Sequence, residues 1–167
     1  NVDLKSINLG GGLGIDYNDP DSAPKFDEYF SLIRELVRIR PGQKIHFEPG
    51  RSIVAQCGSL ITKVLYIKKG SNTTFAVVDA GMTDLIRPAL YQAHHEIQNL
   101  SSDGETAKYD VVGPICESSD TFAKFIELPE TSRGDILAIR SAGAYGEIMA
   151  SRYNLRNLPG TVFSDEL

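Results

Sequence analysis

The chain has 167 residues, and 17 Lys and Arg against 22 Asp and Glu give it a formal charge of −5. At 41% hydrophobic and 23% charged it has an ordinary globular composition, long enough for one domain with a sizeable core. The acidic balance argues against a nucleic-acid partner, and no apolar run nears the roughly 20 residues of a membrane helix.

The first segment reads as strand, loop, helix, strand. Val2 and Leu4, then Ile7 and Leu9, suit a strand that runs into Gly10-Gly11-Gly12-Leu13-Gly14. A turn-rich stretch from Asp16 to Pro24 follows, with Asp21 or Ser22 expected to cap a helix that Pro24 helps to start. Phe26, Phe30, Ile33, Leu36 and Val37 recur at helical spacing, and Pro41-Gly42 stops the run. Residues 44–48 form a short strand before Pro49-Gly50. Strand, helix and strand of this length predict a parallel, right-handed βαβ unit.

The grammar changes near Arg51. Residues 60–67, 73–78, 109–112, 122–126 and 135–139 are β-rich and separated by turn signals such as Lys69-Gly70-Ser71-Asn72 and Arg133-Gly134-Asp135. That pattern predicts a β-barrel or sandwich over 51–167, with short helices only at 84–91 and 144–152. Residues 1–50 hold too few elements for an independent α/β domain and read as part of an incomplete layer.

Four motifs are candidates for chemistry, each beside a plain structural reading. Gly10, Gly11 and Gly12 follow a strand and let backbone N–H groups approach a ligand; a phosphate cradle and a plain tight turn both fit this spacing. Glu48-Pro49-Gly50-Arg51 ends the second strand of the same layer, where ligands of parallel sheets gather, and Arg51 could fork onto a carboxylate or phosphate. Cys116 beside Glu117 suits an acid–base thiol, although a lone cysteine is more often an inert small hydrophobe. Gly143-Ala144-Tyr145-Gly146 brackets a tyrosine with glycines. Cys57 and Cys116 fit neither zinc spacing nor a disulfide scaffold, and His46, His94 and His95 show no metal spacing. The adjacent histidines read as exposed or partly packed, and no metal is expected.

Taken in order, Gly-Gly-Gly-Leu-Gly, Glu-Pro-Gly-Arg, Arg87-x-x-x-Tyr91, Cys-Glu-Ser-Ser-Asp and Gly-Ala-Tyr-Gly resemble the C-terminal part of the diaminopimelate decarboxylases, within the alanine-racemase-like pyridoxal-phosphate decarboxylases. The resemblance covers nearly the whole chain. It implies a mainly β fold: residues 1–50 as the last two strands and a helix of a (β/α)8 barrel, and 51–167 as the C-terminal β-domain. It implies decarboxylation of meso-2,6-diaminopimelate to lysine within lysine synthesis. Decarboxylation of ornithine, arginine or carboxynorspermidine on the same fold, and a non-catalytic β-domain used in binding or assembly, are the alternatives.

The resemblance also assigns roles. Gly10, Gly11, Gly12, Glu48, Pro49, Gly50 and Arg51 would hold the phosphate of pyridoxal 5'-phosphate, and Tyr145 would contact cofactor and substrate. Arg51, Arg87 and Tyr91 would grip the distal carboxylate, Glu117 the distal ammonium, and Cys116 would donate a proton. The Cys-Glu segment would reach a neighbouring subunit's site, so a homodimer is implied. No lysine here matches the family's Schiff-base motif, so the chain is expected to be a piece of a longer enzyme and inactive alone. No leader is expected at Asn1, the Ser164–Leu167 end reads as a chance likeness to a retention tail, and a cytoplasmic setting is expected.

Overall fold

The computed structural model describes residues 4–166, so Val2 and Leu167 lie outside the described residues. Strand β1 (Ser6–Asn8) pairs in parallel with β2 (Lys44–His46). Past the strand ends the ladder continues through Leu9 N–H to His46 O (3.0 Å) and Glu48 N–H to Gly10 O (2.7 Å). Helix α1 (Phe26–Leu36) connects them, as the βαβ reading predicts.

Its start differs from expectation. The residue before the helix is Lys25, with no side-chain cap, and Phe26 N–H donates to Pro24 O (2.8 Å). Asp21 instead accepts from Arg140 Nη2 at 2.5 Å, and Ser22 Oγ donates to Asp19 O. The acidic cap is spent on a long-range ion pair, and proline geometry sets the helix start instead. The apolar stripe of α1 packs Phe30 edge-on against Phe47 at 5.0 Å, but no residue of α1 is buried, and Leu32 and Leu36 are exposed.

Residues 51–166 are mainly β. After a single helical turn, α2 (Arg51–Val54), come β3 (Leu60–Lys69), β4 (Thr74–Val78), α3 (Arg87–Tyr91), β5 (Ile97–Asn99), β6 (Thr106–Val112), β7 (Thr121–Pro129) and β8 (Ile136–Ile139). They form one six-stranded sheet in the order β5-β8-β3-β4-β6-β7, antiparallel except for β4 with β6. The two edges approach each other, where Asn99 Nδ2 donates to Thr131 Oγ1 just past β7 (3.1 Å), so the sheet nearly closes into a barrel.

The core lies inside that curve. Val64, Val78, Val111, Leu137 and Ile139 are fully buried, and Thr62 and Val64 alternate with exposed Ile61 and Lys63, as a two-residue period requires. Each large apolar side chain so buried stabilises by about 1.5–3 kcal/mol relative to exposure. The short helix expected over 144–152 is reduced to one 3-10 turn, Glu147–Met149, followed by a second at Tyr153–Leu155. The chain there leaves the sheet surface with few apolar partners: Ile148 is 83% exposed and Leu155 fully so. The strand expected over 44–48 is shorter, Lys44–His46; beyond it Glu48 stays tied to the first strand segment, its N–H donating to Gly10 O at 2.7 Å and its Oε1 accepting from Asn8 Nδ2 at 2.6 Å.

Candidate active site

Four of the residues singled out in the sequence meet in one open cleft. Arg51, Arg87, Tyr91 and Tyr145 line it together with Tyr17, Ala93, His94 and Met149, around a space of about 460 Å³. Arg51 arrives on α2, immediately after β2 and Pro49-Gly50. Gly50 and Tyr145 approach closely: a Cβ on Gly50 would sit 2.5 Å from the Tyr145 hydroxyl and would displace it. Tyr145 is carried by a loop fastened to α2, with Gly143 N–H donating to Ala55 O (2.9 Å) and Ala142 N–H to Gly58 O (2.8 Å).

Arg87 and Tyr91 stand one turn apart on α3, and the guanidinium lies over the Tyr91 ring at 5.9 Å from its centroid. Arg87 is only 4% exposed. Its Nη2 donates to the Tyr17 hydroxyl (3.0 Å), and its Nε faces His95 Nε2 (3.4 Å). Among the described residues no carboxylate pairs with it. A buried guanidinium next to a cleft, with no anion of its own, could pair with an anionic ligand there.

The glycine loop forms the other end of the same face. A Cβ on Gly11 would meet Glu48 O at 2.5 Å, Gly10 and Gly12 take positive φ, and Tyr29 OH braces Gly11 O (3.0 Å). The N–H groups of Gly11, Gly12 and Gly50 carry no hydrogen bond within the described residues. The Gly10–Gly11 side of this loop and Pro49 also enclose a small apolar hollow with Phe26, Tyr29, Phe30 and Phe47.

Cys116 and Glu117 are elsewhere. Both are exposed, and Glu117 lines a separate cleft with Met82, Thr83, Ile86, Ser119, Ser151 and Tyr153. The Tyr153 hydroxyl donates to Glu117 Oε1, and this bond to the carboxylate raises the phenol above its ordinary pKa of 10.0. The segment is pinned from below by Asp120, 4% exposed, which accepts N–H bonds from Ile115 and Met82, both 2.6 Å. Burial pushes the Asp120 carboxyl above 3.8, and these two bonds oppose that rise.

Sequence reasoning missed Tyr17, His95, Asp120 and Tyr153. Tyr17 sits in a turn-rich stretch without periodicity. His95, read above as exposed or partly packed, is 1% exposed, whereas its neighbour His94 stays near the surface beside Glu96. Asp120 could have been found as an acidic residue closing a compact loop, since aspartates there often bind backbone N–H groups. Among the described residues no group of three or more His, Cys, Asp or Glu converges as metal ligands, and no helix is long and apolar enough to cross a membrane.

Residues 16–143 match the family described as pyridoxal-dependent decarboxylase, C-terminal sheet domain. A diaminopimelate decarboxylase of Bacteroides thetaiotaomicron is 59% identical over 166 residues, which are 98% of this chain and 43% of that protein. The structure resembles a diaminopimelate decarboxylase of Helicobacter pylori complexed with L-lysine, with TM-score 0.78 and 47% identity over 91% of this chain and 37% of that one. It also resembles a lysine/ornithine decarboxylase of Vibrio vulnificus complexed with cadaverine, with TM-score 0.80 and 25% identity over 90% and 41%. The chain thus spans about two-fifths of the length of the relatives it matches.

Proposed function

The chain belongs to the pyridoxal-dependent decarboxylases through their C-terminal sheet domain, and from that premise we propose that it recognises substrate in an enzyme converting meso-2,6-diaminopimelate to L-lysine and CO₂. The observation that carries this reading is the buried Arg87 guanidinium, without a carboxylate partner, opening with Tyr91 and Arg51 onto one cleft. An amino acid with a second carboxylate at its far end satisfies that charge. Ornithine and lysine leave it unpaired, at the desolvation cost of a buried ion.

Pyridoxal phosphate fits the residues present. Arg51 Nε is a buried donor with no partner, and the free N–H groups of Gly11, Gly12 and Gly50 lie on the same strand ends. Those groups would hold the phosphate, with Tyr145 against the bound group. When bound, the cofactor supplies the electron sink that lets a carboxylate leave as CO₂.

In this reading Arg87 and Tyr91 orient the distal carboxylate, Arg87 through charge-assisted bonds and Tyr91 through its hydroxyl. Glu117 receives the distal ammonium. Cys116 Sγ–H delivers the proton that replaces the lost carboxylate, and the exposed thiolate regains one from solvent. Cys116 and Glu117 lie outside the Arg87 cleft, so they would serve the site of a partner copy in a homodimer. We further propose a division near Arg51 between a barrel remnant and the β-domain, a cytoplasmic setting, and no activity for this chain by itself, since none of its lysines is assigned to hold the cofactor.

The test is a chimera in which this chain replaces the matching segment of the Bacteroides relative. Arg87→Leu should lower kcat/KM for diaminopimelate by about 2–4 kcal/mol, or roughly 30- to 900-fold, and change any residual turnover of lysine little. An equal loss for both substrates would remove Arg87 from the distal-carboxylate role.

A further inference from the structure

Arg87 can select a carboxylate only if its fork points the right way, and a four-torsion side chain does not fix that by itself. Two partners hold it. Tyr17 OH lies 3.0 Å from Nη2, and His95 Nε2 lies 3.4 Å from Nε. The other ring nitrogen of His95, Nδ1, lies 2.9 Å from the Arg140 carbonyl oxygen.

These partners dictate the imidazole's state. A carbonyl only accepts, so Nδ1 must carry a hydrogen. An arginine Nε only donates, so Nε2 must be bare. His95 is therefore neutral, with its proton on Nδ1, in a place where it is 1% exposed and packed edge-on against Tyr17 at 5.1 Å. The cations around it are the Arg87 and Arg51 guanidinium groups, with the His94 ring also nearby and Arg140 contributing its carbonyl, so a second proton there would meet two positive charges.

We infer that His95 is a positioning residue for the distal-carboxylate site: its Nδ1–H tautomer, locked on Arg140 O, presents a bare Nε2 that with Tyr17 fixes the Arg87 guanidinium and leaves Nη1 and one Nη2 hydrogen for the substrate. The inference rests on the role proposed for Arg87. It joins the two parts of the chain in one site, because Tyr17 comes from the loop after β1, His95 and Arg87 from the segment between β4 and β5, and Arg140 from the end of β8.

The experiment uses the chimeric holoenzyme. His95→Leu, which keeps the volume and removes the acceptor, should raise KM for diaminopimelate by about tenfold while kcat falls much less, and His95→Gln, whose amide oxygen can accept from Nε, should recover most of the loss. Tyr17→Phe should raise KM in the same direction, and serves if His95→Leu does not fold. Nitrogen-15 spectra of histidine-labelled chimera, assigned through His95→Gln, should show His95 neutral with hydrogen on Nδ1 at pH about 7. An imidazolium or an Nε2–H tautomer there overturns the inference, as does an unchanged KM in His95→Leu and Tyr17→Phe where Arg87→Leu raises it. If Arg87→Leu itself fails to separate diaminopimelate from lysine, the reading of the site falls first and this inference with it.

Discussion

Gly143→Ala tests how the cleft is assembled. Gly143 sits where the Tyr145 loop crosses α2, and an added Cβ would fall well inside contact distance of the Val54 carbonyl oxygen, 3.0 Å from that of Ala55 and 3.1 Å from the Val54 carbonyl carbon. All three atoms are backbone, so no side chain can rotate away. Overpacking of this kind costs about 1–3 kcal/mol, and rigid neighbours place it at the upper end. Separating the strands of chain also strains the 2.9 Å bond from Gly143 N–H to Ala55 O, worth about 1 kcal/mol more. The sum, about 3–4 kcal/mol, corresponds to a Tm lower by roughly 6–16 °C for a domain of this length. Gly160→Ala is the control, since nothing lies within 4 Å of its Cβ position and its backbone is not in the positive-φ region. Its Tm should stay level or rise slightly, because alanine restricts the unfolded chain. Thermal unfolding followed by circular dichroism measures both. A drop for Gly143→Ala no larger than the change for Gly160→Ala would refute the claim that this seam is close-packed.

Three further outcomes are expected. Chimeric subunits carrying Arg87→Leu, strongly impaired as homodimers, should gain activity when mixed by refolding with subunits carrying Cys116→Ala; random pairing with one intact shared site per mixed dimer gives about a quarter of the unsubstituted rate, and no gain would place both residues in one subunit's site. Burial holds the His95 imidazole below 6.5, so the stability that its neutral form contributes is complete above 6.5 and is lost as pH falls through its depressed folded value. Urea midpoints from about pH 7.5 to about pH 5 should therefore fall more steeply for the unsubstituted chain than for His95→Gln, and parallel curves would contradict the burial. Asp120→Ala strands the Ile115 and Met82 N–H groups and should cost about 2–4 kcal/mol in urea unfolding, with Asp120→Asn costing less because one acceptor remains.

Local rules made much of this protein readable from its residues in order. The turn pairs at Pro41-Gly42 and Lys69-Gly70 bound real elements, the two-residue period of β3 marks its buried face, and the i, i+4 spacing of Arg87 and Tyr91 puts them on one face of α3. Glu48-Pro49-Gly50-Arg51 and the glycine loop share one end of a parallel pair because strand ends of a βαβ unit must. What residue order leaves undetermined lies in partners distant along the chain. Asp21 looks like a helix cap until Arg140, 119 residues later, takes its carboxylate. His95 looks like half of a surface pair until β8 brings the Arg140 carbonyl to Nδ1 and α3 brings Arg87 to Nε2. Glu117 and Arg87 belong to one motif set in sequence and to two clefts in space. Backbone sterics and apolar periodicity act over a few residues and so are written locally. The state of a buried polar group is set by whichever donors and acceptors surround it, and only the folded sheet brings those together.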